Sequence, residues 1–100
     1  MLLNKLSIHS TGQPCGIDYF DNRLIVSDYT TGDIRLYNTS VPTPSLMGII
    51  ATGQPGIMGV KIGTDGKIWF VNYTLNTIVR IDRIPPVNHI FSFSHEDRKF

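Results

Sequence analysis

The four residues Thr-Gly-Gln-Pro occur twice in this chain, first from Thr11 and again from Thr52, 41 positions apart. A repeat of this length in a chain of 100 residues indicates two copies of one supersecondary unit. The copies stay collinear after the shared phrase, with two extra residues near the start of the second copy and one more just before Asp65. Residues 21–29 then align with 65–73, and residues 30–38 align with 74–82.

Each copy consists of short apolar and β-branched runs that Gly, Asn, Asp, Thr or Pro interrupt. Helical periodicity is absent, so the pattern predicts an all-β fold built from short strands. Asp21-Asn22 and Asp65-Gly66 separate the first two runs of each copy, and these residue types tolerate the positive φ of a tight hairpin. We therefore expect each copy to form one four-stranded antiparallel meander.

The second strand of each copy is apolar at successive positions, as Leu-Ile-Val at 24–26 and Ile-Trp-Phe at 68–70. A strand in a sheet with one solvated face alternates between apolar and polar residues. The continuous apolar runs instead indicate that both faces of each sheet are covered. A ring of stacked small sheets meets this requirement, whereas an isolated meander does not.

Composition excludes several classes of function. Charged residues make up 17% of the chain and the net charge is +1, with no basic stripe for nucleic acid. The single cysteine, Cys15, has no partner for an internal disulfide. No apolar run reaches the length of a membrane span, and the apolar stretch within the first ten residues is too short for a signal peptide. We expect neither a nucleic-acid nor a membrane partner, and by default a cytoplasmic location.

Residues 59–82, GVKIGTDGKIWFVNYTLNTIVRID, resemble one blade of the NHL and virginiamycin B lyase-like β-propellers. The resemblance rests on Asp65-Gly66, on the aromatic strand at 68–70 and on the Asn-x-Ile-x-Arg-Ile pattern from Asn76. The first copy fits the looser NHL pattern, in which the second strand ends in Ser-Asp. Over residues 11–93 the resemblance implies two four-stranded antiparallel propeller blades per chain.

We expect an extra outer strand at 1–10, one blade at 11–50, a second blade at 51–93 and a polar tail at 94–100. Propellers commonly have four to eight blades, and two blades leave an uncovered apolar face at each end of the stack. Three chains would complete a six-bladed β-propeller as a homotrimer, because head-to-tail contacts ordinarily close into rings. A fragment of a longer chain and another ring size are the alternatives. The extra strand could be exchanged between subunits, in competition with residues 88–93 for the outer edge.

In a propeller meander, the loops before the first strand and after the second strand lie on one rim. This arrangement predicts six ligand-binding candidates there, namely Gln13, Asp28, Tyr29, Gln54, Asn72 and Tyr73. Asp28 and Asn72 are also candidates for holding a divalent cation, Ca²⁺ or Mg²⁺. The competing interpretation is that both side chains cap the turns that follow their strands. The two tyrosines could likewise serve packing between blades.

Two functions of different classes follow from this arrangement. The first is a self-assembling propeller module that acts as a scaffold for a small-molecule or protein ligand, with no catalytic residue and no cofactor. The alternative is a metal-assisted lyase or hydrolase, similar to virginiamycin B lyases or gluconolactonases, acting at the channel mouth. Those lyases often have Thr-Glu at the end of the aromatic strand, where this chain has Val71-Asn72. The scaffold is favoured because acid–base residues are lacking at the matched positions.

Overall fold

The computed structural model describes residue 3, residues 5–8, residues 12–82 and, as backbone, residues 90–94. None of these residues is helical, which confirms the all-β class for the described part of the chain. No helix among them could therefore cross a membrane. Of the extra strand expected at 1–10, residues 3 and 5–8 have no regular secondary structure, and the rest lies outside the described residues, as do residues 95–100 of the tail.

Eight strands form two antiparallel sheets, each with its strands in chain order. Sheet 1 contains β1 (Pro14–Phe20), β2 (Arg23–Asp28), β3 (Asp33–Asn38) and β4 (Ser45–Ala51). Sheet 2 contains β5 (Ile57–Ile62), β6 (Ile68–Asn72), β7 (Thr77–Ile81) and β8 (Ile90–Ser94). Both sheets are the meanders that the repeat predicts, and β8 occupies the outer edge of sheet 2 within the same chain.

The hairpin turns have the backbone conformations expected from their sequence. Asp21 and Asn22 have φ values of 52° and 61°, as a two-residue turn with both residues in the left-handed region requires. Gly66, in the corresponding turn of sheet 2, has a φ of 84°. These turns fix the register of β1 on β2 and of β5 on β6, and so decide which side chains face the core.

Strand pairing shows which positions of the two sheets are equivalent. Ile17 pairs with Val26 in sheet 1, and Val60 pairs with Phe70 in sheet 2, so Ile17 corresponds to Val60. In β1 the pairing register shifts between Pro14 and Ile17, and in β5 it shifts between Ile57 and Val60. The shift places Cys15-Gly16 opposite the single residue Ser27 and Met58-Gly59 opposite Val71, which is the arrangement of a β-bulge. The bulge is therefore a repeated feature of the two sheets.

The repeated phrase itself does not occupy equivalent places. The carbonyl oxygen of Gln13 accepts a hydrogen bond from Tyr29 N at 2.8 Å, whereas the equivalent acceptor for Tyr73 N is Gly56 O at 2.8 Å. In the second copy Thr-Gly-Gln-Pro thus ends at Pro55, one residue before the acceptor Gly56. The two extra residues lengthen the approach to β5, and residues 52–56 become the connection between the sheets.

One hydrophobic core lies between the sheets. The residues that form it are Ile25, Ile34, Leu36, Ile50, Ile57, Val60, Ile62, Ile68, Phe70, Val79 and Ile81, with Phe20 packed against them. Sheet 1 contributes the face that carries Ile25. The residue of sheet 2 equivalent to Ile25 is Trp69, which lies on the face of sheet 2 directed away from this core, because Phe70 points inward. The two sheets therefore pack through opposite faces, in a head-to-tail manner.

The sheets approach most closely where β1 crosses β5. A Cβ atom added to Gly16 would lie 2.6 Å from the carbonyl oxygen of Met58 and 3.2 Å from the amide nitrogen of Val60. Only a residue without a side chain allows two backbones to come this near. Ser27, opposite the bulge, accepts a hydrogen bond from Gly16 N at 3.0 Å and donates one to Met58 O at 3.4 Å.

Asp18 forms a second polar link across this interface. Its Oδ2 atom accepts a hydrogen bond of 2.7 Å from Ile62 N and lies 3.8 Å from the Lys61 ammonium. The Ile62 hydrogen bond, then the Tyr19 amide and the charge of Lys61, hold the pKa of Asp18 below its ordinary value of 3.8, although partial burial opposes this shift. The ionised carboxylate is thus part of the packing between the sheets.

Gly16→Ala should lower the free energy of unfolding by about 1–3 kcal/mol, because the added methyl group meets backbone atoms that cannot move away easily. Urea unfolding at fixed protein concentration measures this change. Ser45→Thr, which adds a methyl group at an exposed strand position, is the control and should leave stability nearly unchanged. A Gly16→Ala variant as stable as the control would contradict the close approach of β1 and β5.

Ionisation of Asp18 should make the free energy of unfolding depend on pH in the acidic range. Its pKa is lower in the folded chain than in the unfolded one, so its contribution is complete above the ordinary value near 3.8 and is lost as the pH falls through the folded pKa. Unfolding of the original chain and of Asp18→Asn, measured from pH 7 to pH 2, should show a difference in free energy that shrinks in this acidic range. A difference that is constant with pH would refute this linkage.

Candidate functional site

The six candidate residues lie at one end of the strands, which we call the rim. Gln13 immediately precedes β1, and Tyr29 follows β2, while Tyr73 follows β6 in the same way. The amide of Gly56 donates a 2.7 Å hydrogen bond to Tyr29 O, which ties the two sheets together here. The predicted clustering of the loops at one rim therefore matches the positions of these residues, although only some of their side chains are accessible.

Asp28 is buried at the end of β2 and serves as an acceptor for the turn that follows. Its Oδ1 atom accepts hydrogen bonds from Gln13 N at 3.1 Å, Thr30 N at 2.9 Å and Thr31 N at 3.0 Å. One carboxylate oxygen thus satisfies three backbone donors, and this is the capping role of an Asp at a turn. The contacts explain why an acidic residue stands at a site that is hidden from solvent.

Asn72 occupies the equivalent place in sheet 2 and is fully buried. Its Oδ1 atom accepts a 2.9 Å hydrogen bond from Leu75 N, so it also caps its turn. Its Nδ2 atom faces two acceptors, Gln54 Oε1 at 3.4 Å and Pro55 O at 3.3 Å. An amide suits this position because one side must accept while the other must donate, which a carboxylate cannot do.

The accessible part of the rim is a groove between the sheets, with a volume of about 630 Å³. We call it the rim groove, and its lining consists of Gln13, Pro14, Cys15, Tyr29, Met58 and Tyr73. Of the two tyrosines in this lining, Tyr73 is 70% exposed and Tyr29 is half-buried. On the floor of the groove, Cys15 Sγ lies 3.8 Å from Met58 Sδ.

A neighbouring depression of about 460 Å³ shares Tyr29 with the rim groove. Gln54 and the connection between the sheets line it, together with Thr74 and Leu75. Thr30 Oγ1 lies 3.3 Å from Gln13 Oε1, so the loop after β2 fixes the side chain that faces the rim groove. The structure thus brings Gln13, Tyr29 and Tyr73 to one surface, places Gln54 beside them, and buries Asp28 and Asn72 beneath.

The chemistry of the rim groove favours binding over catalysis. None of its six lining residues carries a carboxylate, an imidazole, an ammonium or a guanidinium group. Aromatic rings, a thioether and a proline offer apolar contact, and the Gln13 amide offers a directional hydrogen bond. In the described ranges, no three His, Cys, Asp or Glu side chains come together in a way that could hold a metal ion.

Sequence reasoning did not select Pro14, Cys15 or Met58 for this site. Cys15 and Met58 are the first residues of the two equivalent bulges, and a bulge turns one side chain away from the regular alternation of its strand. The Cys-Gly-Ile and Met-Gly-Val sequences that follow the repeated phrase are the only signal of these bulges. That signal becomes readable once the two copies are aligned by strand pairing.

A further depression of about 370 Å³ lies at the hairpin end of the strands, opposite the rim. It is charged, with Asp21, Arg23, Asp65, Lys67 and Asp82 in its lining. Lys67 Nζ lies 3.9 Å from Asp82 Oδ1, and Arg80 also forms an ion pair with Asp82. The lining thus holds three carboxylates and two cationic side chains, and Asp82 is engaged in ion pairs.

Comparison with protein-family models, curated proteins and solved structures gives no match for this chain.

Because Asp28 only accepts hydrogen bonds whereas Asn72 both accepts and donates, exchanging Asp and Asn should have different effects on stability at these two equivalent positions. Asp28→Ala should cost about 2–3 kcal/mol of stability because it leaves three backbone N–H groups without their acceptor, whereas Asp28→Asn keeps an acceptor oxygen and should cost less. Asn72→Asp should also destabilise, by about 1–3 kcal/mol, because it places a carboxylate oxygen against Gln54 Oε1 and Pro55 O. Urea unfolding of the three variants measures this order. Equal stability of Asp28→Ala and the original chain would contradict the capping role.

Proposed function

We propose that this chain is a two-blade β-propeller module that assembles into a six-bladed ring as a homotrimer. The ring acts as a non-catalytic scaffold that binds a small-molecule or protein ligand at its rim. The single observation that carries this proposal is the head-to-tail packing of the two sheets. A contact between opposite faces leaves one unused copy of each face at the two ends of the stack, so further copies of the chain can extend it.

The outward faces are apolar at most of their exposed positions, although the centre of the sheet 1 face, at Val26, Arg35 and Tyr37, is already buried in the single chain. In sheet 1 the exposed residues on this face are Ile17, Tyr19, Leu46 and Ile49, which we call the open face of sheet 1. In sheet 2 the corresponding surface contains Gly59, Lys61, Trp69, Val71, Ile78 and Arg80, which we call the open face of sheet 2, and the Arg80 guanidinium lies over the Trp69 ring. Apolar patches of this kind on a small domain are typical of interaction surfaces.

Head-to-tail contacts generate either closed rings or open filaments. The resemblance of residues 59–82 to propeller blades supports a ring, since propellers commonly close with four to eight blades. Three chains of two sheets give six blades. Strand β6 supports the same arrangement, because Val71 is 46% exposed in the single chain although its neighbours in the apolar run are buried or half-buried.

The rim groove supports a binding role for the ring. Tyr29 and Tyr73 are equivalent residues of the two sheets, and Cys15 and Met58 are equivalent too, so a closed ring would repeat the tyrosine and sulfur part of this lining at every interface between blades. Gln13 would be repeated only within each chain, because Gly56 takes its place in sheet 2. A rim with six tyrosines and no carboxylate or imidazole in its grooves suits recognition of an extended ligand that offers apolar surface and hydrogen-bonding groups.

The ring predicts a mass of about 34 kDa in solution, three times the 11.2 kDa of the chain. Sedimentation equilibrium over a range of concentrations measures it. A folded monomer in dilute solution would refute the proposal.

The metal-dependent alternative has its own test. Addition of Ca²⁺ or Mg²⁺ should leave the melting temperature unchanged if the rim is a metal-free scaffold. A rise in melting temperature that Asp28→Asn abolishes would instead favour the metal-assisted lyase or hydrolase.

A further inference from the structure

We propose that the open face of sheet 2 receives strand β1 of a second copy of this chain, and that Gly59 is the position where the two backbones meet. This inference rests on the proposed assembly and deepens it, because it names the surfaces that join and the residue that permits the contact. The second copy enters with the open face of sheet 1.

The interface within the chain provides the precedent. Gly16 lies at the second position of the bulge in β1, and the absence of its side chain lets β5 approach to within 2.6 Å of where a Cβ would be. Gly59 lies at the second position of the bulge in β5 and is therefore its equivalent. The same residue type stands at the same place, but on a face that nothing in the described chain covers.

No contact within the described part of the chain explains a glycine at position 59. A Cβ added there would meet no atom of the described residues within 4 Å. Its φ is not among the positive values, which belong to Gly32, Gly53, Gly56 and Gly66. A strand position with open space and ordinary backbone would favour a β-branched residue, since glycine weakens strand interiors. A close approach by another backbone supplies the missing reason.

The exposure of equivalent residues identifies the approaching strand. Val60 and Ile62 are 4% and 7% exposed because sheet 1 covers them, whereas their equivalents Ile17 and Tyr19 are 66% and 55% exposed. The backbone atoms that crowd Gly16 belong to Met58 and Val60. Their equivalents are the carbonyl of Cys15 and the amide of Ile17, so these atoms of the second copy would face Gly59.

The two interfaces differ in their polar contacts. Asp18, which accepts from Ile62 N within the chain, is replaced by Lys61 at the equivalent position, and Ser27 is replaced by Val71. The contact between copies thus loses both of these hydrogen bonds and relies on packing against Val71, Ile78 and the stacked pair of Trp69 and Arg80. It should therefore separate before either chain unfolds.

The experiment compares the solution mass of the full chain with that of Gly59→Ala and Gly59→Val by sedimentation, with circular dichroism as the measure of folding. We expect Gly59→Ala to raise the dissociation constant of the assembly about tenfold or more, and Gly59→Val to sediment as a folded monomer. Ser45→Thr is the matched control and should sediment as the original chain does. Gly16→Ala should instead lower the stability of each single chain.

A second variant tests the same interface in case Gly59→Val does not fold. Val71→Lys introduces a charge on the same open face, at a residue that already has contact with solvent, and should also give a folded monomer. If the original chain is oligomeric and both Gly59→Val and Val71→Lys remain so, this inference is overturned while the proposed assembly stands. If the original chain is a folded monomer, both proposals fail.

Discussion

The contact between the bulge of β1 and the backbone of β5 determines how the rest of the molecule is arranged. Because Gly16 has no side chain, the two strands approach until Ser27 can link Gly16 N to Met58 O. This distance brings the Ile25 face of one sheet onto the Phe70 face of the other and encloses the core. It also sets the width of the rim groove, whose floor contains the two sulfur atoms of Cys15 and Met58.

Much of the fold could be predicted from the sequence, because its signals are local. The turn at Asp21-Asn22 and the apolar runs of β2 and β6 each depend on a few neighbouring residues, and the alignment of the two copies at 21–38 and 65–82 agrees with the strand pairing. The alignment at the start of the second copy could not be predicted correctly from the sequence. The identical phrase suggested equivalence, but hydrogen bonding shows that Gly56 rather than Gln54 takes the place of Gln13.

The candidate site could be predicted only in part, because strand ends are visible in a sequence but the burial of their side chains is not. Tyr29 and Tyr73 lie on the accessible surface as a rim position suggests. Asp28 and Asn72 were plausible as cation ligands from their residue types alone, yet both are buried by the turns whose backbone groups they satisfy. The amide at position 72 is explained by Pro55 O, which requires a donor there, whereas Asp28 Oδ1 accepts from three backbone amides.

The connection at 52–56 has a consequence for how a ring of such chains would come into being. It tethers sheet 2 to sheet 1, so the interface inside each chain experiences a local concentration in the millimolar range, whatever the amount of protein present. The interface between chains has no tether and depends on encounters by diffusion. Assembly would therefore be hierarchical, and the abundance of the protein in the cell would set the fraction of rims that are complete.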